Sequence, residues 1–308
     1  MGERLDVWIP DDTPERFRGR LDDLAAVHDY PTRGAPKRKL GRGDMLIAAH
    51  HVRSTLLAIP QIDGLRVVQT FSAGVDTLVD QLPPGMTLCN ATGVHDVGVA
   101  EWIVLAILAS NRHLLRHAGL QRAATWSRQR FSGEDLDGAT VLIVGYGSIG
   151  NAVETRLRPF GARISRVART ARDGVSALDE LPDLASDADV VICLLPHTPT
   201  TRGAIGRDVI GRMKPGALLV NASRGAVVDT DALVEASAAG RIRAALDVTD
   251  PEPLPEDHPL WSTPGVLITP HIAGDVRREE DRAWELVADQ VTRLSRGQPL
   301  RNIVTDGY

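Results

Sequence analysis

Short apolar runs alternate with stretches of helical pattern along nearly the whole chain. Nine of these runs are predicted strands, namely Asp6–Ile9, Met45–Ala48, Leu65–Thr70, Val141–Val144, Arg163–Ala168, Val190–Leu195, Ala217–Asn221, Ala244–Val248 and Val266–Thr269. Helical pattern fills most of the intervals, as in Thr230–Ala239. Such alternation predicts an α/β fold of parallel sheets with helices on both faces. Because nine strands are too many for a single doubly wound domain, we expect two such domains, with three strands in the first and six in the second.

The division between the domains is predicted at the segment Val97–His117. Within it, Ala100–Ala109 reads AEWIVLAILA and is apolar on nearly every side. A helix that is apolar all round is expected to be buried on all sides. A helix between two domains covers two of its faces, and a subunit interface would cover the rest. An ordinary core helix would have the same pattern, but we favour the interface and therefore a homodimer.

The composition excludes several classes of protein. The 308 residues carry a net charge of −5, whereas nucleic-acid-binding proteins usually have a basic face. No run approaches the roughly 20 apolar residues that a membrane helix requires, and MGERLDVWIPDD has acids where a signal peptide has its apolar stretch. Cys89 and Cys193 are too few for a disulfide framework and are expected to be small core residues. We therefore expect a cytoplasmic protein that binds small molecules, without nucleic acid, membrane or metal.

The strongest local motif is VLIVGYGSIG, Val141–Gly150. Gly145, Gly147 and Gly150 have the G-x-G-x-x-G spacing directly after a strand, and a helical stretch follows. In dinucleotide-binding folds the first glycine permits the turn, the second lets the backbone approach the pyrophosphate, and the third lets the helix pack on the strand. The helix N-terminus then binds the phosphates. The segment therefore predicts a dinucleotide site.

The end of the next strand indicates which dinucleotide binds. NAD enzymes usually carry Asp or Glu there, about 20 residues beyond the glycines, to bind the ribose 2′-hydroxyl. This chain instead has Ala168, Arg169, Thr170 and Arg172, with no acid before Asp173. Guanidinium and hydroxyl groups suit a 2′-phosphate, although a solvated basic turn has the same composition. Because the acid is missing and basic residues are gained, we predict a preference for NADP(H) over NAD(H).

Three further segments each follow a predicted strand of the second domain: NASRG (Asn221–Gly225), LDVTDPEP (Leu246–Pro253) and TPHIAG (Thr269–Gly274). Ligands of parallel α/β sheets bind at the carboxyl ends of strands, so these segments would present Arg224, Glu252 and His271 to one cleft. Arginine has a planar fork that suits a carboxylate and a keto oxygen. Histidine is an acid/base group near neutral pH, and a carboxylate beside it favours its charged form. Singly, each residue is more often structural or solvated; together they predict interconversion of 2-keto and 2-hydroxy acids.

These segments resemble the family of D-isomer-specific 2-hydroxyacid dehydrogenases. The similar segments, in family order, are SAGVD (Ser72–Asp76), VAEW (Val99–Trp102), GYGSIG (Gly145–Gly150), LLPHTPTTRGAIG (Leu194–Gly206), MKPGALLVNASRGAVVDTDAL (Met213–Leu233), AALDVTDPEPLPEDHPLW (Ala244–Trp261) and TPHIAG. The resemblance implies a Rossmann nucleotide-binding domain, residues 98–282, inserted in a smaller flavodoxin-like substrate domain, residues 1–97 plus 283–308. It also implies a homodimer. In lacking the acid that would bind the ribose 2′-hydroxyl, the chain resembles the family's NADP-dependent glyoxylate and hydroxypyruvate reductases. Trp102, where many members have His, is expected to be structural.

Carried over position by position, the resemblance implies a role for each matching residue. Arg224 binds and polarises the substrate, and His271 exchanges the proton with Glu252, rather than Asp250, as its partner. The other implied binding residues are Ala73, Gly74 and Val75, whose amides hold the substrate carboxylate, Ser148 and Ile149 at the pyrophosphate, Leu195 and Pro196 on the adenosine side, and Asp247 at the nicotinamide.

Two other features are predicted to matter for specificity and assembly. The loop Ala49–Arg53 contains two histidines and an arginine. It is expected beside Ser72–Val75 and would favour small substrates with a second polar or anionic group, although a solvated loop would have the same residues. Trp126 is expected to reach the active site of the neighbouring subunit.

Two alternatives remain open. A non-catalytic dinucleotide-sensing regulator of the same fold would have the glycines and would not need the Arg–Glu–His set. A phosphite- or formate-dehydrogenase-like enzyme would have the fold and much of that set. A formate enzyme is expected to carry additional amide and His groups around the substrate, and no clear match to them occurs here.

Overall fold

The computed structural model describes residues 4–49, 52–127 and 132–305. The chain divides into two compact units, Met1–His95 with Arg277–Tyr308, and Asp96–Val276. The second unit therefore ends before the boundary expected at residue 282. The reason is the long helix Glu279–Ser295, which packs on the strands of the first unit through Trp284 and Val287.

The first unit is built on parallel strands. These are β1 (Asp6–Pro10), β2 (Ala26–Tyr30), β3 (Gly41–Arg42), β4 (Met45–Ile47), β5 (Ile62–Asp63), β6 (Val67–Gln69) and β7 (Thr87–Cys89). Five of them form one sheet in the order β2-β1-β4-β6-β7, and β3 pairs with β5 separately. The five-stranded order is that of flavodoxin-like folds.

The helices of the first unit cover this sheet. They are Glu15–Leu21, Val52–Ala58 and Glu279–Ser295. Along the last of them Ala283, Trp284, Val287 and Val291 are buried, which is the spacing of an amphipathic helix with one apolar face. The ring of Trp284 stacks on Phe17 with centroids 5.5 Å apart, and this contact joins the C-terminal helix to the first helix of the unit.

The second unit contains one seven-stranded parallel sheet. Its strands are β8 (Thr140–Val144), β9 (Arg163–Ala168), β10 (Ser176–Ala177), β11 (Val190–Cys193), β12 (Leu218–Asn221), β13 (Arg243–Leu246) and β14 (Val266–Ile268). They lie in the order β10-β9-β8-β11-β12-β13-β14. This is the Rossmann order with one additional strand, and it places the switch point between β8 and β11. The predicted fold class and all nine predicted strands are confirmed.

The helices of the second unit are Asp96–Asn111, Leu114–Arg122, Ser148–Leu157, Leu181–Ser186, Arg207–Arg212 and Thr230–Ala238. All except Leu114–Arg122, which buries no residue, pack on the sheet, some on each face. One buried cluster surrounds Val144, Val191 and Leu219, and the other surrounds Ile143 and Ile192. Side chains of neighbouring strand positions thus alternate between two cores, as a sheet covered on both faces requires.

The apolar segment Ala100–Ala109 is not buried on all sides within the single chain, and the subunit interface expected to cover its remaining faces stays a prediction. Ile103 and Ile107 are fully buried, but the side chain of Leu105 is 59% exposed. Among the described residues no single helix is long and apolar enough to cross a membrane; Asp96–Asn111 and Leu114–Arg122 meet that criterion only as a pair, bent by 67°.

Three residues expected to be structural are buried as predicted. Cys89 and Cys193 are fully buried, and burial raises the pKa of the Cys89 thiol to about 11, which keeps it protonated and unreactive near neutral pH. Trp102 packs in the core beneath the second unit's sheet.

Candidate functional site

The glycine loop follows β8 and has the geometry of a phosphate-binding turn. Gly145 has φ = 101°, and a Cβ there would lie 2.5 Å from the carbonyl carbon of Leu194, so only glycine fits. The helix begins at Ser148, and no side chain caps it at Gly147. A Cβ on Gly147 would meet nothing within 4 Å, so the space beside this backbone is open. An uncapped helix N-terminus beside open space fits a dinucleotide pyrophosphate.

The predicted pyrophosphate contacts lie at the start of this helix. The hydroxyl of Ser148 donates a hydrogen bond to the carboxylate of Asp96. Ile149 is partly buried against the core. Their backbone positions therefore suit the predicted role, whereas the Ser148 hydroxyl is engaged by an acidic residue that sequence reasoning did not single out.

The strand β9 ends at Ala168, whose small side chain is buried. Arg169, Thr170 and Arg172 follow in an exposed turn. The Arg172 guanidinium donates a hydrogen bond to the carbonyl oxygen of Tyr146, the second residue of the glycine loop. The turn that carries the predicted 2′-phosphate ligands is therefore in contact with the loop predicted to hold the pyrophosphate.

The turn after β11 is ordered by its own hydrogen bonds. Leu195 is buried, and the carbonyl oxygen of Pro196 accepts a hydrogen bond of 2.5 Å from the hydroxyl of Thr201. The approach of Leu194 to Gly145 places this turn beside the glycine loop. This position is consistent with the adenosine-side role that the resemblance implied.

Arg224 lies in a turn that the side chain of Asn221 organises. Asn221 ends β12, and its Oδ1 accepts hydrogen bonds from the backbone nitrogen of Ser223 at 3.1 Å and from its hydroxyl at 2.8 Å. Its Nδ2 donates to the carbonyl oxygen of Arg224 at 3.1 Å. The Arg224 guanidinium donates to the Ser223 carbonyl at 2.8 Å. The amide of Asn221 thus orients the backbone from which the guanidinium projects.

The Arg224 turn packs on the segment that leads to Glu252. A Cβ on Gly225 would lie 1.9 Å from the carbonyl oxygen of Thr249, so the two backbones are in direct contact. The hydroxyl of Thr230 donates to the carbonyl oxygen of Asp250 at 3.0 Å. The segments after β12 and β13 therefore form one packed unit.

His271 and Glu252 form a hydrogen-bonded pair. The distance from His271 Nδ1 to Glu252 Oε1 is 2.6 Å, and both side chains remain nearly half exposed. His271 has φ = 57°, which is rare for a residue with a side chain. Its backbone nitrogen donates to the carbonyl oxygen of Asp247 at 2.7 Å. The histidine partner is Glu252, as the resemblance implied.

The carboxylate of Asp247 is buried and binds the segment that carries His271. Its Oδ1 accepts hydrogen bonds from the Thr269 hydroxyl at 2.6 Å and the Ile272 nitrogen at 2.9 Å. Its Oδ2 accepts one from the Ala273 nitrogen at 2.8 Å. These bonds hold the unusual backbone of His271 from both sides. Asp247 was predicted to contact nicotinamide; its contacts to this segment were not foreseen.

The predicted carboxylate-binding loop, Ser72–Val75, lies in the first unit after β6. The carbonyl oxygen of Ser72 accepts hydrogen bonds from the Thr70 hydroxyl at 2.7 Å and the Ala91 nitrogen at 3.0 Å. The Asn90 amide donates to the Ala73 carbonyl at 3.1 Å. The carbonyl oxygens of Ser72 and Ala73 thus accept hydrogen bonds from Ala91 and Asn90, which directly follow the strand β7. His50 and His51 of the predicted selectivity loop lie outside the described residues.

A family sequence profile matches this part of the chain. The profile described as D-isomer specific 2-hydroxyacid dehydrogenase, NAD binding domain, matches residues 104–273. The chain belongs to this family. The resemblance seen in its motifs is thereby confirmed, and the second unit is a nucleotide-binding domain of this type.

Relatives and solved structures support the same family. The chain is 32% identical over 283 residues to human glyoxylate reductase/hydroxypyruvate reductase, and the match covers 86% of each chain. It is 33% identical over 277 residues to D-3-phosphoglycerate dehydrogenase of Methanocaldococcus jannaschii, covering 86% of this chain and 52% of that one. The chain therefore spans about half the length of such phosphoglycerate dehydrogenases. Its fold matches an NADPH-dependent glyoxylate/hydroxypyruvate reductase from Sinorhizobium meliloti in complex with NADP and malonate, with a TM-score of 0.77, 26% identity and coverage of 98% and 97%.

Proposed function

We propose that this protein transfers a hydride between NADP(H) and a small 2-keto or 2-hydroxy acid of the glyoxylate or hydroxypyruvate type. The observation that carries the proposal is the His271–Glu252 pair, joined at 2.6 Å, with Arg224 in the adjoining packed turn. The similarity to the human glyoxylate reductase/hydroxypyruvate reductase supports the substrate class. The open space beside Gly147 supports the dinucleotide.

In this mechanism His271 moves the proton. Nδ1 is engaged by Glu252, so the proton exchanged with the 2-oxygen of the substrate is the one on Nε2. The nicotinamide, when bound, supplies or accepts the hydride. Glu252 stabilises the imidazolium and fixes the orientation of the ring, and Asp247 holds the backbone beneath it.

Arg224 provides the fixed positive charge of the mechanism. A guanidinium presents several N–H groups in one plane, so one side chain can bind a carboxylate oxygen and also polarise the keto oxygen. Negative charge grows on that keto oxygen as hydride arrives, and a positioned cation stabilises it.

Glu252→Gln is expected to lower kcat for keto-acid reduction, but by less than His271→Ala does. The amide still accepts a hydrogen bond from Nδ1 and orients the ring, but it carries no negative charge to stabilise the imidazolium. Steady-state kinetics on both variants measure this difference. An unchanged kcat for Glu252→Gln would exclude Glu252 as the histidine's partner.

The cofactor is proposed to be NADP(H) because basic residues occupy the turn where an NAD enzyme has its acid. Replacing Arg169 by alanine should remove a charged partner of the 2′-phosphate, at a cost of about 1.5–3 kcal/mol, or ten- to a hundred-fold in affinity for NADPH. NADH affinity should change little. Isothermal titration calorimetry with both cofactors measures this, and Arg163→Ala, an exposed arginine at the start of the same strand, is the control. Equal or higher wild-type kcat/KM with NADH would contradict the proposal.

A homodimer through the nucleotide-binding units is also proposed. Large apolar side chains on and after the helix Asp96–Asn111 are exposed in the single chain, namely Leu105, Leu114, Leu115 and Trp126, the last 95% exposed. Exposed apolar patches of this kind mark interaction surfaces. Light scattering should give a molar mass of about twice the 33.2 kDa of one chain. Trp126→Ala should weaken association or alter kinetics. Trp261→Ala, which also removes an exposed tryptophan, should do neither. A mass of one chain at micromolar concentration would rule out the dimer.

The non-catalytic sensor is the alternative from another class. It would bind the dinucleotide and turn over none of the 2-keto acids, so binding without turnover separates the two proposals. Phosphite and formate belong in the same substrate comparison, because oxidation of either would indicate the related enzymes of this fold.

A further inference from the structure

A buried carboxylate lies beneath the glycine loop of the second unit. Glu154, in the helix Ser148–Leu157, is only 3% exposed. Its carboxylate accepts hydrogen bonds from the Tyr146 hydroxyl at 2.7 Å, from Arg166 Nε at 2.6 Å and from Arg158 Nη2 at 2.6 Å. The Arg166 guanidinium foremost lowers the pKa of Glu154 to about 2. A buried charge is tolerated when it is paired in this way, and the pairing fixes its partners.

Tyr146 is the middle residue of Gly145–Tyr146–Gly147, and its ring contacts two cations. The Arg166 guanidinium lies 5.5 Å from the ring centroid and that of Arg172 lies 5.9 Å from it. Both are within the range of cation–π attraction. The Tyr146 hydroxyl is bonded to Glu154, so the ring cannot turn away without breaking a bond to a buried group. Tyr146 is therefore a fixed surface on which Arg172 rests.

The backbone on the other side of Arg172 is fixed as well. Its nitrogen donates to the carbonyl oxygen of Val175 at 3.0 Å, and the Val175 nitrogen donates back at 2.8 Å. Arg166 Nη1 donates to the carbonyl oxygen of Gly174 at 3.4 Å. Both ends of the Arg172 side chain are thus held, one by this hairpin and one by the carbonyl and ring of Tyr146.

We propose that Tyr146 is a positioning residue that determines cofactor specificity by presenting Arg172 to the adenosine 2′-phosphate. A guanidinium has five N–H donors, so the bond to the Tyr146 carbonyl leaves others for the phosphate. An arginine already held loses less side-chain freedom when the phosphate binds. Glu154 and Arg166 act through Tyr146. The inference rests on the proposed NADP(H) preference and adds to it how the preference is produced.

Binding measurements on the purified protein test this without turnover. Calorimetry gives the Kd for NADPH, NADH, adenosine 2′,5′-bisphosphate and adenosine 5′-monophosphate. Tyr146→Leu is expected to weaken NADPH and the bisphosphate about five- to twentyfold, the range of a cation–π contact, and to change NADH and the monophosphate less than about twofold. Tyr146→Phe retains the ring but loses the bond to Glu154, so its affinity for NADPH and the bisphosphate should lie between those of wild type and Tyr146→Leu.

A double-mutant cycle distinguishes positioning from a general loss of structure. In the Arg172→Ala background, Tyr146→Leu should have no further effect on the ratio of the NADPH and NADH affinities. Thermal unfolding shows whether each variant folds cooperatively, and Tyr146→Met replaces Tyr146→Leu if that variant does not. Equal weakening of both cofactors, or effects of Tyr146→Leu and Arg172→Ala that simply add, would overturn the inference while the NADP(H) preference stands. A wild-type protein that binds NADH as tightly as NADPH would overturn both.

Discussion

Replacing His271 by alanine is expected to lower kcat for keto-acid reduction by about 10²–10⁴-fold, the usual contribution of a general acid. The alkoxide that forms at the 2-carbon needs a proton as hydride arrives, and alanine has none to give. Affinity for the dinucleotide should be unchanged, because the glycine loop and the turn after β9 do not depend on this side chain. Single-turnover kinetics and calorimetry on the same preparation measure the two effects separately.

The chain contains a matched control for this variant. His28 and Asp6 form a second histidine–carboxylate pair, with Nε2 and Oδ1 2.7 Å apart, on strands of the first unit. His28→Ala removes the same chemical group and should leave kcat unchanged. If His271→Ala retained more than half of the wild-type rate on the best substrate, another group would have to be the proton donor.

Arg224→Ala is expected to have the other large effect, a fall in kcat/KM of about 10³-fold or more. One positioned donor to a developing oxyanion contributes about 10²–10³ in kcat, and the same guanidinium also binds the ground-state carboxylate. Both kcat and KM should therefore worsen. Arg224→Lys retains the charge but loses the planar fork, so its activity should lie between those of the wild-type protein and Arg224→Ala. Steady-state kinetics on glyoxylate and hydroxypyruvate measure the split.

Arg212→Ala is the control for Arg224. Arg212 lies on a helix of the same unit and pairs with Asp183 at 2.9 Å in an exposed position, where ion pairs contribute little. It should leave kcat and KM unchanged. A rise in KM alone for Arg224→Ala would show that the guanidinium binds substrate without stabilising the transition state.

Much of the fold could be predicted because buried parallel strands have unbroken apolar sequences. The missed strands lack that signal. In β2, the sequence AVHDY contains His28 and Asp29, whose side chains remain partly exposed at the edge of the sheet. In β7, Thr87–Cys89 is only three residues long. Such strands are defined by their pairing with neighbours, which a hydrophobic pattern does not reveal.

The candidate site likewise contains residues that could be predicted from the sequence and residues that could not. Arg224, Glu252 and His271 were predicted from motifs at strand ends, but the residues that hold their backbone and side chains in place were not. Asp247 accepts hydrogen bonds from residues more than twenty positions later in the chain. Glu154, on a helix, accepts hydrogen bonds from Tyr146 in the glycine loop and from Arg166 on the strand β9. Such networks depend on the directions of side chains in the folded protein, and no spacing rule in the sequence indicates them.

The decisive measurement is the oxidation of NADPH by the purified protein in the presence of hydroxypyruvate, glyoxylate and 3-phosphohydroxypyruvate, followed by absorbance of the reduced nicotinamide. Phosphohydroxypyruvate is included because phosphoglycerate dehydrogenases are among the relatives. We expect wild-type protein to consume NADPH with hydroxypyruvate or glyoxylate, and His271→Ala, at the same concentration and with the same Kd for NADPH, to consume it at least about a hundredfold more slowly. Tight binding of NADPH by the wild-type protein with no turnover of any 2-keto acid would contradict the proposed activity and identify a dinucleotide-binding protein without catalysis.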